Sequence, residues 1–252
     1  MAESKYIDKK LPHSRYGPGR SAGGGDPKDP PGTGVADSLA PPGKEELHQF
    51  VPFLTKKCGL EFRGRILEIG AGTAWFSAEI SKLPKVVEVV ATDVSSQLLR
   101  EHAPKIFKLL KAHEGKITRT PADFYRLDFQ SNHFDFVVCS ALLHHGVNVL
   151  EVLRESRRVL KPCGQFVAIR EPVRRRTGLK RRSKAKATLI TAGARTPFYT
   201  LAEYRDFFER AGLELAVKRM NFSRGLRYYF KQVVKGLTPA QYTFIGMKRG
   251  KE

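Results

Sequence analysis

Arg65-Ile66-Leu67-Glu68-Ile69-Gly70-Ala71-Gly72-Thr73-Ala74, residues 65–74, is the stretch of sequence that decides the fold. Its apolar first half predicts a short buried strand, which the glycine-rich second half stops, and a helix is expected from about residue 74 to 82. A strand, a glycine-rich turn and a helix in this order are typical of the first unit of a doubly wound α/β sheet. Such sheets bind ligands beyond the carboxyl ends of their strands.

The remainder of the chain alternates between strand-like and helix-like periodicity. Helices are predicted at about 44–57, 95–111, up to 160 and 201–211, and strands at 86–92, 117–119, 134–140, 166–170, 213–220 and 242–248. Strands that alternate with helices form mainly parallel sheets, and two final strands in succession suggest an antiparallel pair. The sequence therefore predicts a Rossmann-like three-layer sandwich whose mostly parallel seven-stranded sheet has an antiparallel edge hairpin.

Composition divides the chain into a tail and one domain. Residues 1–43 are rich in Gly, Pro and Ser and lack a sustained apolar period, which predicts a disordered N-terminal tail. Residues 44–252 are expected to form one globular domain. Within it, residues 170–199 contain the clusters Arg174-Arg175-Arg176 and Lys180-Arg181-Arg182, so we expect a basic insertion on the substrate side.

Charge and cysteine content restrict the function classes. Lys and Arg number 45 against 25 Asp and Glu, a formal net charge of +20, which favours anionic partners. Three widely spaced cysteines argue against a disulfide framework and a zinc site, and we expect no metal. The first residues lack the apolar core of a secretory signal, and no apolar run reaches membrane-spanning length, so the expectation is a soluble, cytoplasmic protein.

The glycine-rich turn is unsuited to a dinucleotide. The dinucleotide fingerprint places a small residue at position 75, where this chain has Trp75. Instead, Glu68 stands at the strand end, with small residues at 70, 72 and 74. This spacing suits a cationic ligand without pyrophosphate, although the turn alone could also be purely structural.

Two further acids lie where other strands end. Asp93 closes the strand at 86–92, where a carboxylate can accept both hydroxyls of a ribose, or can cap the helix that follows. Asp123 falls in the loop after the strand at 117–119. Its carboxylate can accept a hydrogen bond from an adenine amino group.

Several motifs now stand in one order and spacing: Glu68-Ile69-Gly70-Ala71-Gly72-Thr73, Asp93, Ala122-Asp123-Phe124, Phe134-Asp135, Leu143-His144-His145 and Arg158-Val159-Leu160-Lys161-Pro162-Cys163-Gly164. Over roughly residues 64–167 the chain resembles class I S-adenosylmethionine-dependent methyltransferases. Within them it is similar to the small-molecule branch typified by ubiquinone and menaquinone biosynthesis methyltransferases. It departs from the family at Ala74 and Cys163, where glycine is usual.

The resemblance implies S-adenosylmethionine as cofactor and a role for each matching residue. Glu68 would lie near the methionine end, Asp93 would hold the ribose, and Asp123 with the Phe124 amide would hold adenine. The full set of expected cofactor-binding residues is Glu68, Gly70, Ala71, Gly72, Thr73, Asp93, Val94, Asp123, Phe124 and Ser140. If the reaction uses a base, His144 or His145 is the candidate, because histidine titrates near neutrality; polar packing is the alternative.

The predicted function is methyl transfer to a small molecule, which the basic charge favours as anionic. An RNA methyltransferase is the second hypothesis, supported by the charge, although Cys139-Ser140-Ala141-Leu142 stands where amino-methylating enzymes have an Asn/Asp-Pro-Pro-aromatic motif. A non-catalytic cofactor-binding module is the third. The oligomeric state is not predicted.

Overall fold

One eight-stranded sheet organises the part of the chain that the computed structural model describes, residues 2–9, 44–146, 148–174, 199–220 and 241–250. Its strands lie in the order β1-β4-β3-β2-β5-β6-β8-β7. In chain order they are β1 Lys5–Tyr6, β2 Gly64–Ile69, β3 Val86–Asp93, β4 Ile117–Pro121, β5 Phe134–Ser140, β6 Leu160–Pro172, β7 Leu213–Arg219 and β8 Gln241–Lys248. The predicted strands are thus all present, within a few residues of their expected ends.

The sheet is parallel from β1 to β6, and β8 runs antiparallel to both β6 and β7. The predicted antiparallel edge pair is therefore confirmed. Strand β2 lies between β3 and β5, so the chain winds in opposite directions on either side of it. This reversal is the switch point at which doubly wound sheets bind ligands.

Helices cover both faces of the sheet, as the three-layer prediction requires. They are α1 Lys44–Pro52, which continues as a π-helical turn Phe53–Lys57, α2 Trp75–Ser81, α3 Ala103–Leu110, which follows a π-helical turn Leu98–His102, α4 Val149–Val159 and α5 Leu201–Arg210. Helices α1, α2 and α3 pack on one face with the side chains of Ile66 and Val138. Helices α4 and α5 pack on the other with Leu67 and Val137.

The N-terminal segment corrects one prediction, since residues 1–43 were expected to lack regular structure. Lys5 and Tyr6 form β1, which pairs in parallel with β4, and Arg119 donates to the backbone oxygen of Ser4 at 3.2 Å. Arg119 and Arg100 lie over the Tyr6 ring, at 5.7 and 5.4 Å from its centroid. A two-residue strand has too little sequence to show periodicity, so only these long-range contacts reveal it.

Two predicted features lie largely or wholly outside the described residues. They are the rest of the tail, 10–43, and the basic insertion, of which 175–198 are not described. Within the described ranges, no helix combines the length and apolar character needed to cross a membrane. The same ranges contain no group of three His, Cys, Asp or Glu side chains arranged to hold a metal ion.

Candidate active site

The loop after β2 is tied to the ends of the neighbouring strands by short hydrogen bonds. Ala71 N donates to Thr92 O at 2.8 Å, and the Thr92 hydroxyl donates to Glu68 O at 2.8 Å. Ala122 N donates to Asp93 O at 3.1 Å, which joins the carboxyl ends of β3 and β4. The ends of three strands therefore form one rim, from which the three loops with candidate cofactor residues begin.

Glu68 is turned toward the start of α2. It is 1% exposed, and its Oε2 accepts from Ser77 N at 2.8 Å and from the Ser77 hydroxyl. Burial, with a smaller contribution from the nearby Asp93 and against the Ser77 hydrogen bonds, raises the pKa of the Glu68 carboxyl to about 8. A nearby positive charge would therefore favour its ionised form.

Asp93 fastens the glycine-rich loop to β3. Its Oδ2 accepts from Gly72 N and its Oδ1 from Ser95 N, each at 2.8 Å. Burial raises the pKa of this carboxyl, while the backbone N–H groups of Ser95, Gly72 and Val94 oppose the rise. The contact to Ser95 fits the prediction that Asp93 caps the following helix, and the contact to Gly72 joins the carboxylate to the glycine-rich loop.

Asp123 and Phe124 form a compact turn after β4. Asp123 is half-buried, its Oδ1 accepts from Tyr125 N at 2.9 Å and its backbone oxygen accepts from Arg126 N at 3.0 Å. The Phe124 side chain is buried, and its ring lies 4.7 Å from that of Tyr125. The hydroxyl of Tyr125 accepts from Asn148 N at 3.2 Å, which fixes this turn to the start of α4.

The two glycines of the loop serve different purposes. Gly70 and Gly72 both have positive φ, 60° and 54°, which favours glycine. A β-carbon at Gly72 would meet no atom within 4 Å of the described structure, so the backbone is open to close approach there. A β-carbon at Gly70 would instead overlap Leu142 Cδ1, so this glycine makes room for a leucine.

The site also contains buried polar atoms that lack a hydrogen-bond partner among the described residues. They are Thr73 Oγ1, Ser140 Oγ and His145 Nε2. Thr73 lies in the glycine-rich loop, Ser140 ends β5, and His145 follows Ser140 within five residues. Buried polar groups are rarely left without a partner, so these atoms fit a pocket that binds a polar ligand.

The two candidate histidines occupy a helical turn, Leu143–His145, directly after β5. His144 is 5% exposed, and its Nδ1 lies 2.9 Å from Glu171 Oε2. Burial and the neighbouring His144 lower the pKa of His145 to about 4, against the effect of Glu171. The structure thus separates the two: one is held by a carboxylate and the other is a neutral imidazole near neutral pH.

Glu171 is a site residue that the sequence reasoning missed. It is 0% exposed and lies near the carboxyl end of β6. The available signal was its position, an acidic residue that ends an apolar strand, as Asp93 does. In the sequence, Glu171 stands three residues before the basic cluster that begins at Arg174, so its charge is outnumbered locally.

Comparison with known proteins supports the expected family. Residues 67–168 match the family model described as a methyltransferase domain. A 118-residue stretch is 30% identical to the ubiquinone/menaquinone biosynthesis C-methyltransferase of Pseudomonas aeruginosa. That alignment covers 46% of this chain and 45% of the relative, so it spans less than half the length of either protein.

Solved structures share the fold. The YcgJ protein of Bacillus subtilis superposes with a TM-score of 0.61 at 18% identity, covering 81% of this chain and all of that one. Phosphoethanolamine N-methyltransferase 2 of Haemonchus contortus, solved in complex with S-adenosyl-L-methionine, has a TM-score of 0.61 at 17% identity. The superposition covers 83% of this chain and 54% of the phosphoethanolamine N-methyltransferase chain. At this identity the likeness concerns the fold.

Proposed function

We propose that this chain, which carries a class I S-adenosylmethionine-dependent methyltransferase domain, transfers a methyl group from S-adenosylmethionine to a small-molecule acceptor. One observation carries the proposal: Glu68 and Asp93 are buried carboxylates at the rim where Gly72 leaves open space, and burial raises the pKa of both. Bringing a positively charged ligand to that rim would offset the cost of their ionised forms. A sulfonium cofactor supplies this charge.

The residues present fit the adenosyl part of the cofactor. Asp93 accepts from Gly72 N at one carboxylate oxygen and from Ser95 N at the other, and a carboxylate offers about four lone-pair sites, so accepting capacity remains for ribose hydroxyls. Asp123 and the Phe124 amide would hold adenine in the turn after β4. Val94 and Ala71 would line the space between the ribose and the adenine. Thr73 and Ser140 would donate or accept hydrogen bonds at the methionine end through hydroxyls that have no partner among the described residues.

The protein's contribution to the chemistry is alignment. The bound cofactor supplies a methyl group on a positively charged sulfur, already activated for displacement. The chain has to orient an acceptor in line with that methyl group and keep water out, which can account for much of the acceleration. The turn Leu143–His145, which follows the neighbouring strand β5, would do this.

The net charge of +20 supports an anionic acceptor. The match to a quinone-biosynthesis methyltransferase over 118 residues supports a small molecule rather than a polymer. Neither observation names the acceptor. We therefore propose only its class, a small anionic metabolite.

Calorimetric titration of the full-length protein with S-adenosylmethionine tests the cofactor. Binding is expected, and Asp93→Asn should weaken it at least about tenfold, because hydrogen bonds to a charged group are worth about 1.5–3 kcal/mol. Asp206→Asn, on the exposed face of α5, is the matched control and should bind like the parent protein. Absence of measurable binding to the parent protein would overturn the proposal.

Labelled methyl transfer then tests the acceptor. The protein is incubated with methyl-labelled S-adenosylmethionine and either a small-metabolite extract or total RNA. Label in metabolites that an anion exchanger retains supports the proposal. Label in RNA alone would replace it with the nucleic-acid hypothesis.

A further inference from the structure

Strand β6 contains an extra residue just before Glu171. Ala168 pairs with Phe244, whereas Glu171 pairs with Tyr242, so three steps along β6 match two steps along β8. Arg170 lies within this irregularity and has a φ of 60°. Such a bulge re-aims the side chains that follow it, because neighbouring residues of a strand point to opposite faces.

The bulge changes the face on which Glu171 lies. Ala168 packs on the face of α4 and α5, so regular alternation would place Arg170 there and Glu171 opposite. Instead, Glu171 contacts the turn after β5. One additional residue in the strand thus brings a carboxylate to the loop that carries both candidate histidines.

Glu171 holds that loop through four hydrogen bonds. Its Oε1 accepts from Leu142 N at 2.8 Å and from Leu143 N at 3.0 Å. Its Oε2 accepts from His144 N at 3.3 Å and lies 2.9 Å from His144 Nδ1. A fully buried carboxylate with this many partners strongly favours one loop conformation, since leaving any partner unpaired in the interior is costly.

His145 is the residue that this arrangement presents. Its backbone N donates to Leu142 O at 2.9 Å, and its ring centroid lies 4.1 Å from that of His144. Its Nε2 is buried and has no partner in the described parts of the chain. Within the described ranges, Cys139 on β5 and Tyr204 on α5 are two further ionisable groups that interact with Glu171. Burial raises the pKa of each, so both are neutral near pH 7.

We propose that Glu171 and His144 are positioning residues that hold His145 so that its Nε2 accepts a hydrogen bond from an O–H or N–H group of the methyl acceptor. The inference rests on the proposed function, because it assigns the acceptor side of the same site. His145 orients the acceptor in line with the transferred methyl group. It is a hydrogen-bond acceptor at neutral pH, in contrast to the general base that the sequence suggested.

Nitrogen-15 NMR of the histidine side chains tests the positioning without any substrate. The full chain is labelled at its seven histidines, and the His144 and His145 signals are assigned with His144→Asn and His145→Asn. Glu171→Gln should change the Nδ1 signal of His144 and the ring signals of His145. Glu209→Gln, an exposed residue of α5, should leave both unchanged. Unaltered His145 signals in Glu171→Gln would overturn the proposal.

A second variant provides an independent test in case Glu171→Gln does not fold. His144→Asn removes the imidazole yet leaves the Glu171 contacts to Leu142 N and Leu143 N in place. It too should shift the His145 ring signals. If those signals keep their positions while the protein stays folded, the pair does not position His145.

Kinetics and binding distinguish this inference from the proposed function. Glu171→Gln and His145→Asn should bind S-adenosylmethionine within about twofold of the parent protein, and kcat should fall about tenfold or more, since small misplacements of reacting groups cost this much. Absence of cofactor binding in the parent protein would overturn the proposed function and, with it, the role of His145 toward an acceptor. The NMR result still tests separately whether Glu171 and His144 position His145. An unchanged kcat in His145→Asn would show that His145 does not contact the methyl acceptor.

Discussion

Leu142 fills the space in front of the Gly70 α-carbon, so that a β-carbon at Gly70 would overlap Leu142 Cδ1. The two residues join the loop after β2 to the loop after β5 at the centre of the rim. Packing against Leu142 thus requires a glycine at position 70, whereas the space beside the Gly72 α-carbon is open.

Gly70→Ala should therefore destabilise the fold more than Gly72→Ala. Both place a β-carbon at a positive φ, which costs about 1–2 kcal/mol, and only the first also displaces Leu142. Urea unfolding of both variants measures the difference. In a double-mutant cycle, Gly70→Ala and Leu142→Ala should show a favourable coupling of about 1 kcal/mol. Strict additivity would contradict the contact.

A left-handed residue near the start of β6 predicts a stabilising substitution. Cys163 is exposed and has a φ of 61°, a conformation that glycine adopts without strain. Cys163→Gly should raise the free energy of unfolding by about 0.5–1 kcal/mol, the relief of strain less the greater entropy of an unfolded glycine. Cys163→Ser keeps the strain and should give no gain. Equal stability of the two variants would argue against backbone strain at Cys163.

The pKa of Glu68 predicts a pH dependence of stability. Burial raises this pKa from 4.5 to about 8, so between these values the folded chain keeps a proton that the unfolded chain releases. The contribution of Glu68 to stability is therefore greatest below pH 4.5 and declines as pH rises toward 8. Glu68→Gln removes this decline, and its advantage over the parent protein should reach the order of 1–3 kcal/mol by pH 8.

Denaturant unfolding tests the direction of this pH dependence. Midpoints are measured for the parent protein and Glu68→Gln from pH 5 to 8. Glu214→Gln serves as the control, because Glu214 is exposed on β7. The control curve should run parallel to that of the parent protein. A parallel curve for Glu68→Gln as well would show that Glu68 is ionised in the folded state.

The docked N-terminal strand predicts a measurable contribution from Tyr6. Tyr6→Ala removes a ring that lies under Arg100 and Arg119, and should cost about 1–2 kcal/mol of stability. Tyr6→Phe keeps the ring under both guanidinium groups and should cost less than Tyr6→Ala. Lys5→Ala, at the exposed neighbouring position, is the control. If Tyr6→Ala unfolds like the parent protein, β1 adds nothing to stability.

Much of the fold follows from periodicity, because each strand and helix buries one side of its own local pattern. The run Phe134–Ser140 is a strand with the bounds that the sequence predicts. By contrast, β6 begins at Leu160 rather than 166, since Leu160 pairs with Phe134 of β5 ahead of the regular ladder. The strand β1 exists only through its contacts with β4, and no local pattern indicates it.

The sequence by itself determined the order of strands and helices, the glycine-rich loop and the acids that follow successive strands, because these are properties of neighbouring residues. Only the tertiary structure decided what those acids touch. It turned Glu68 toward Ser77, tied Asp93 to Gly72, and used a bulge at Arg170 to bring Glu171 to His144. Such contacts join residues up to 27 positions apart, and their geometry depends on how the strands are registered in the sheet.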